Sequence, residues 1–297
     1  MRISGYCHNS STGIKLIILL LLILWGALIV AIPMFFVKGS NALLIAMYLQ
    51  NIGMFILPAW IAATLFWGNA GKSLYLNKAP RIIELLIALF IVATPALNRI
   101  VEWNEAMHLP EALYNIEQWM RQQENAATKI TEQILQVNSF SHFLAVIFGI
   151  GILTGIGEEM IFRGVLQRIV QDKNHRAHVA VWICAFLFSA IHLQFYGFIP
   201  RLLLGAFFGY LLVWSKNLWL PIFAHLFNNS TVACISYFTN DKSPDNLIET
   251  VGTSGSPTSW LAGASLIGTV ILLYVLYKKV FVSKSKEFFP MEDKITP

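Results

Sequence analysis

Between Lys15 and Lys38 the chain carries 22 consecutive residues, Leu16 to Val37, without a charged side chain. A bilayer core about 30 Å thick is crossed by about 20 apolar residues of helix. In lipid the backbone must satisfy its own hydrogen bonds, which an α-helix does within a single segment. Further apolar segments follow: Ala42 to Trp67, interrupted by Gln50 and Asn51; Ile82 to Asn98, with Glu84 and Pro95 near its ends; Phe140 to about Val170; Ala177 to Leu193; Phe198 to Trp214; Leu218 to Phe238; and Trp260 to Tyr277. The fold expected is an all-α integral membrane protein, a polytopic bundle of about eight transmembrane helices. Charged residues are 12% of the 297, against about 25% in soluble domains, which excludes a water-soluble enzyme. Three cysteines cannot form a disulfide framework, and Cys184 and Cys234, inside apolar runs, read as packed thiols.

The first run is longer than a cleavable secretory core and no small-residue cleavage site stands out after it, so it reads as a signal anchor that stays. With eight spans and the amino terminus inside, 14 of the 21 basic residues fall on the inner side and 6 on the outer side, Arg201 among the latter. That bias follows the positive-inside rule and places both termini in the cytoplasm. It also accounts for the net charge of +5, so the partners expected are the lipid bilayer and a membrane-associated peptide or protein, not nucleic acid. The longest extramembrane stretch, about Arg99 to Ser139, is acidic. In it Leu109, Leu113, Ile116 and Met120 recur at helical spacing, which predicts an amphipathic extracytoplasmic segment between helices three and four. The chain divides into residues 1–139 (three helices and the acidic segment), 140–238 (a core of helices four to seven) and 239–297 (a Ser/Gly/Pro-rich outer loop, the last helix and a basic tail). No internal repeat or inverted pair of half-bundles suggests a transporter.

Ionisable groups inside a span are costly and mark candidate sites. Glu158, Glu159, Arg163, His192, His225 and the amide Asn229 make up that set. In Gly157-Glu-Glu-Met-Ile-Phe-Arg-Gly164, Glu159 and Arg163 stand four apart, with the order and spacing of an ion pair along one helical face. Glu158 is turned about 100° away, which leaves it to face a cavity. Gly151 and Gly155 lie roughly on the face of Glu158, where small residues permit close helix approach or leave room for substrate. Phe188 and His192 are four apart on the fifth segment, and His225 and Asn229 four apart on the seventh, after Pro221. At about 1.5 Å per residue, Glu158, His192 and His225 lie about 18, 20 and 12 Å from the inner ends of their segments. The three therefore approach a common level.

A carboxylate, two imidazoles and an amide around one cavity serve hydrolysis in either of two ways. In one, Glu158 is the general base, His192 holds the attacking water, and His225 and Asn229 stabilise the oxyanion. In the other, Glu158, His192 and His225 form a set like the His₂Glu ligands of a single catalytic zinc. No His-Glu-x-x-His motif is present, and the choice between one zinc and no cofactor stays open.

Glu-Glu-x-x-x-Arg at Glu158, Glu159 and Arg163, Phe-x-x-x-His at Phe188 and His192, and His-x-x-x-Asn at His225 and Asn229 resemble, in this order, the motifs of the CPBP family. That family comprises the CAAX proteases and bacteriocin-processing enzymes, also called the Abi family. Gly205, Gly209 and the Leu-Pro-Ile ahead of His225 extend the likeness over roughly residues 140 to 235. The resemblance implies an intramembrane endopeptidase, glutamate-type or metal-dependent, whose eukaryotic relatives remove the last three residues of prenylated proteins. It implies that Glu158 and His192 activate water, that His225 and Asn229 form the oxyanion site, and that Glu159 with Arg163 supports the first glutamate, Phe188 being part of the same motif set. It also implies a bacterial inner-membrane setting. The alternative reading from the same family is a non-catalytic bacteriocin self-immunity protein or membrane scaffold.

Overall fold

The computed structural model describes residues 5–39, 41–76, 78, 82–137, 139–172, 177–239 and 250–282. Arg2, Arg81, Lys173, Arg176, Lys242 and the tail lysines Lys284, Lys286 and Lys294, which contribute to the expected orientation, lie outside these residues, as does much of the second outer loop. Every regular element among the described residues is helical. In chain order the main helices are α1 (Thr12–Met34), α2 (Ala42–Trp67), α3 (Ile83–Glu105), α4 (Tyr114–Leu135), α5 (Phe140–Gln171), α6 (Ala177–Ala190), α7 (Phe198–Ser215), α8 (Trp219–Thr239) and α9 (Leu261–Tyr277). Six of them, α1, α2, α3, α5, the stretch containing α7 and that containing α9, are long and apolar enough to cross a membrane. The chain is a polytopic helical membrane protein. Of the two remaining expected spans, α6 is a helix of only 14 residues, about 21 Å long, and α8 carries His225, Asn228, Asn229 and Ser230 along its length.

Side-chain caps start several helices. Ser11 accepts from the Ile14 amide ahead of α1, and Ser139 accepts from the His142 amide ahead of α5, each satisfying an amide that a helix start leaves unpaired. Helix α3 runs seven residues past the expected end at Asn98, straight through Pro95. A proline removes one backbone donor, and a neighbouring helix repairs the disturbed rung: Ser265 of α9 accepts from the Ala96 amide at 3.1 Å and donates to the Val92 carbonyl at 2.5 Å. Helix α6, by contrast, stops before its expected end at Leu193. Leu193 has φ +53°, which a continuing right-handed helix forbids.

The exterior is apolar. Leu20, Leu21, Leu24, Trp25 and Leu28 of α1 and Ile267, Val270 and Ile271 of α9 are exposed, as the lipid-facing surface of a membrane bundle must be. Small residues set the internal contacts. A methyl group added at Gly26 of α1 would fall 2.1 Å from the carbonyl oxygen of Gly53 in α2. Gly151 and Gly155 of α5 lie against Ser230, Leu226 and Ile222 of α8, so the space opened by these glycines is filled by that helix. Gly205 and Gly209 of α7 do the same for α6, meeting Ala185 and Val181. These contacts set α1 against α2, α5 against α8, and α7 against α6.

The acidic outer segment contains the expected helix, α4, but it docks by its polar side. Leu113 and Ile116 are 41% and 50% exposed, whereas Glu117 is buried. Glu117 accepts from the Leu109 amide at 3.0 Å and from Arg121 at 2.7 Å, and contacts His108 Nδ1 at 2.9 Å. These bonds, that from Arg121 foremost, hold its carboxyl down at about 2. Of the thiols, Cys184 is buried as expected, while Cys234 is only partly so.

Candidate active site

Helix α5 presents the two glutamates from Thr154–Glu159, an α-helical stretch bracketed by wider π-helical turns at Ile147–Leu153 and Met160–Leu166. Such turns are uncommon and recur at functional sites. Glu159 is fully buried and held twice: Arg163 Nη1 donates to its Oε1 at 2.8 Å, and His225 Nδ1 lies 2.8 Å from the same oxygen. The helical spacing of Glu159 and Arg163 thus yields the expected pair. The second guanidinium nitrogen of Arg163 donates to the Gly205 carbonyl at 2.8 Å, tying α5 to α7. Glu158 is 8% exposed. Among the described residues no hydrogen bond restrains its carboxylate, and His225 Nε2 lies 3.7 Å from its Oε2.

His225, on α8, therefore stands between the two carboxylates. A carboxylate only accepts, so the short contact to Glu159 places a proton on Nδ1 and turns Nε2 toward Glu158. Its ring stacks on Phe208 of α7, with centroids 5.1 Å apart and planes at 19°. Asn229, one turn later, donates from Nδ2 to the Ile150 carbonyl at 3.2 Å and accepts from Asn228 at Oδ1. This leaves the second amide N–H of Asn229 for another acceptor.

His192 departs from the sequence expectation. It lies beyond the end of α6, in the turn before Leu193, and is not on a helical face with Phe188. The four-residue relation survives as a hydrogen bond, Nδ1 donating to the Phe188 carbonyl at 2.7 Å. In the neutral ring this leaves Nε2 as the acceptor. Phe188 packs edge-on against both His192 and His225, with centroids at 5.1 and 5.9 Å, and its face lies 4.6 Å from the Arg163 guanidinium. The aromatic ring is the common floor for the two imidazoles. Among the described residues no three His, Cys, Asp or Glu side chains gather as metal ligands would. Glu158 meets His225 directly, and Phe188 packs against both imidazoles.

Several neighbours had no place in the sequence reading of the site. Asn51, an interruption in the second apolar run, is buried and donates to Thr154 Oγ1 at 3.1 Å, one turn before Glu158. A polar group inside a span was the available signal. Arg201, counted with the outer charges, lies in the first turn of α7, near enough to Glu158 and His192 for its charge to act on both. It donates to Gln194 Oε1 at 2.8 Å. Glu124 of α4 in turn accepts from the Tyr196 amide at 3.0 Å and from Gln194, and Asn104 of α3 accepts from the Ile199 amide at 2.8 Å. The turn carrying His192 is thus fastened by the acidic outer segment and the end of α3.

Inside this multi-pass helical bundle Glu158, Glu159 and His225 meet, with His192 and Asn229 on neighbouring segments. Comparison with known families makes the class specific. Residues 140–231 match the family described as Type II CAAX prenyl endopeptidase Rce1-like, in keeping with the CPBP-family resemblance of the motifs. The chain is also similar to the uncharacterized protein YpbD of Bacillus subtilis (strain 168), 29% identical over 109 residues. That alignment covers 35% of this chain and 51% of the relative, so the chain spans about half the length of the curated protein it matches. No solved structure matches it.

Proposed function

We propose that this protein is a glutamate-type intramembrane endopeptidase that hydrolyses a peptide bond of a membrane-associated protein or peptide. The observation that carries the reading is the division of labour between adjacent carboxylates: Glu159 is locked by Arg163 and His225, whereas Glu158 has no hydrogen bond among the described residues and lies beside His225 Nε2. A carboxylate pinned by a guanidinium and an imidazole is a scaffold; an unbonded one within reach of a water is a base.

In the proposed reaction Glu158 takes a proton from water while His192 Nε2 accepts the other hydrogen and orients the oxygen. The oxygen attacks the scissile carbonyl carbon. The oxyanion receives a hydrogen bond from the second amide N–H of Asn229 and from His225 when Nε2 is protonated. On collapse the C–N bond breaks, and the proton held by Glu158 passes to the departing amine. Arg163 and Phe188 position the groups and touch none of the reacting atoms.

The test compares membranes of cells carrying the parent protein or Glu158→Gln by quantitative proteomics of protein termini. Loss of general-base action is worth about 10²- to 10⁴-fold in rate, so uncleaved substrate accumulates in the variant while the protein itself remains at parental abundance. Identical terminal peptides in the two membranes, with both proteins present, sink the proposal.

A further inference from the structure

A cavity of about 180 Å³ opens beside Arg163, between the last turns of α5, the end of α7 and the turn at Tyr75. Among the described residues its polar lining is Tyr75, Arg163, Gln167, Arg168, Gln171 and Lys216: three cations, two amides and a phenol. Arg163, Gln167 and Gln171 stand at four-residue intervals, so one face of α5 supplies a polar stripe. Neither Glu158 nor His192 borders this space.

The cations are held in place. The Arg168 guanidinium lies over Trp67 at 4.1 Å and near Tyr75 at 5.5 Å, and it donates to the Ser73 carbonyl, which fixes its plane and leaves further N–H donors of the guanidinium fork. Lys216 ends α7 in the left-handed region, φ +49° and ψ +38°. Glycine takes that position without penalty, whereas a side-chain-bearing residue pays roughly 1–2 kcal/mol. A lysine kept at a strained position points to use of its side chain. Burial, and then the positive charge of Arg168, push the Lys216 ammonium below its ordinary value, as the approach of two cations in a partly desolvated space does. Both residues stand where apolar helices end, the level at which lipid phosphates lie.

We infer that this cavity is a binding site for a phosphate group, from a phospholipid headgroup or from free phosphate, gripped by Arg168 and Lys216 against Arg163. A guanidinium offers parallel donors that fit phosphate oxygens, and the ammonium adds a point charge from the opposite helix. The site lies across the Arg163 side chain from Glu159 and does not depend on the catalytic reading.

The test is thermal unfolding of the full chain in a neutral detergent at constant ionic strength, titrated separately with inorganic phosphate, phosphatidylglycerol and, as control, diacylglycerol. Ligand that binds the folded state raises the midpoint in a saturable way. A rise with inorganic phosphate identifies a free-phosphate site; a rise with phosphatidylglycerol alone identifies a headgroup site; either supports the inference. Lys216→Gly removes the ammonium while relaxing the left-handed backbone position, so the folded variant is expected to need at least tenfold more ligand for half the shift. Arg168→Gln weakens the response similarly, and Glu158→Gln leaves it unchanged. No saturable rise with either phosphate source, an equal rise with diacylglycerol, or an undiminished rise in Lys216→Gly overturns the inference.

Discussion

Glu158 and Glu159 are neighbours in sequence and differ in almost everything else, because one step along a helix turns a side chain by about 100°. Glu159 meets Arg163 and His225 in a dry interior, where breaking a pair is expensive since it strands the remaining charge. Arg163→Met is therefore expected to cost about 3–5 kcal/mol of stability, read as a lower unfolding midpoint in detergent, while Glu158→Gln, which removes no hydrogen bond, unfolds near the parent's midpoint. Equal destabilisation by the two variants would show that both glutamates are structural. The Glu159–Arg163 pair was legible in the sequence because both partners lie on one helix and their spacing is local. The stacking of His225 on Phe208, the Arg163 bond to the Gly205 carbonyl and the approach of Arg201 were not, because each joins groups from different helices whose separation no local pattern encodes.

Among the elements, α4 departs furthest from its sequence pattern. Apolar residues at helical spacing suggest a helix lying on its greasy side, yet Glu117 turns inward onto the Leu109 amide just ahead of the helix and Glu124 meets the Tyr196 amide in the turn before α7. Glu124→Ala removes the acceptor for Tyr196. A hydrogen bond to a charged group contributes about 1.5–3 kcal/mol, so hydrogen exchange of amides 194–197 is expected to rise at least tenfold, and turnover should fall because the same turn carries His192. Unchanged exchange there would mean that α4 does not fasten the turn. Glu117 makes docking of α4 pH-dependent. Its folded carboxyl titrates at about 2, below the ordinary 4.5, so the undocked segment binds the proton more readily. The stabilisation is complete above about pH 4.5 and is lost as pH falls toward about 2. Protease accessibility of residues 108–121 should follow that window, and the dependence should vanish in Glu117→Gln.

For the whole molecule, the apolar exterior and the apolar helices establish a multi-pass membrane protein, and the bias of basic residues predicts its orientation. In a cysteine-free background, Gln123→Cys is expected to react with a membrane-impermeant maleimide in intact cells, and Lys72→Cys only after lysis; the reverse pattern would invert the topology. The amino-acid sequence by itself determined the membrane class, the positions of the apolar runs, the ordered Glu, His and Asn motifs and the Glu159–Arg163 pair. All of these rest on hydropathy or on spacing within one helix. Only the tertiary structure decided that α6 ends before His192, that Ser265 carries α3 through Pro95, that α8 fills the space beside Gly151 and Gly155, and that Arg168 and Lys216 share a cavity. Those features depend on which helices come together and how closely, and that is set by packing between segments far apart in the chain.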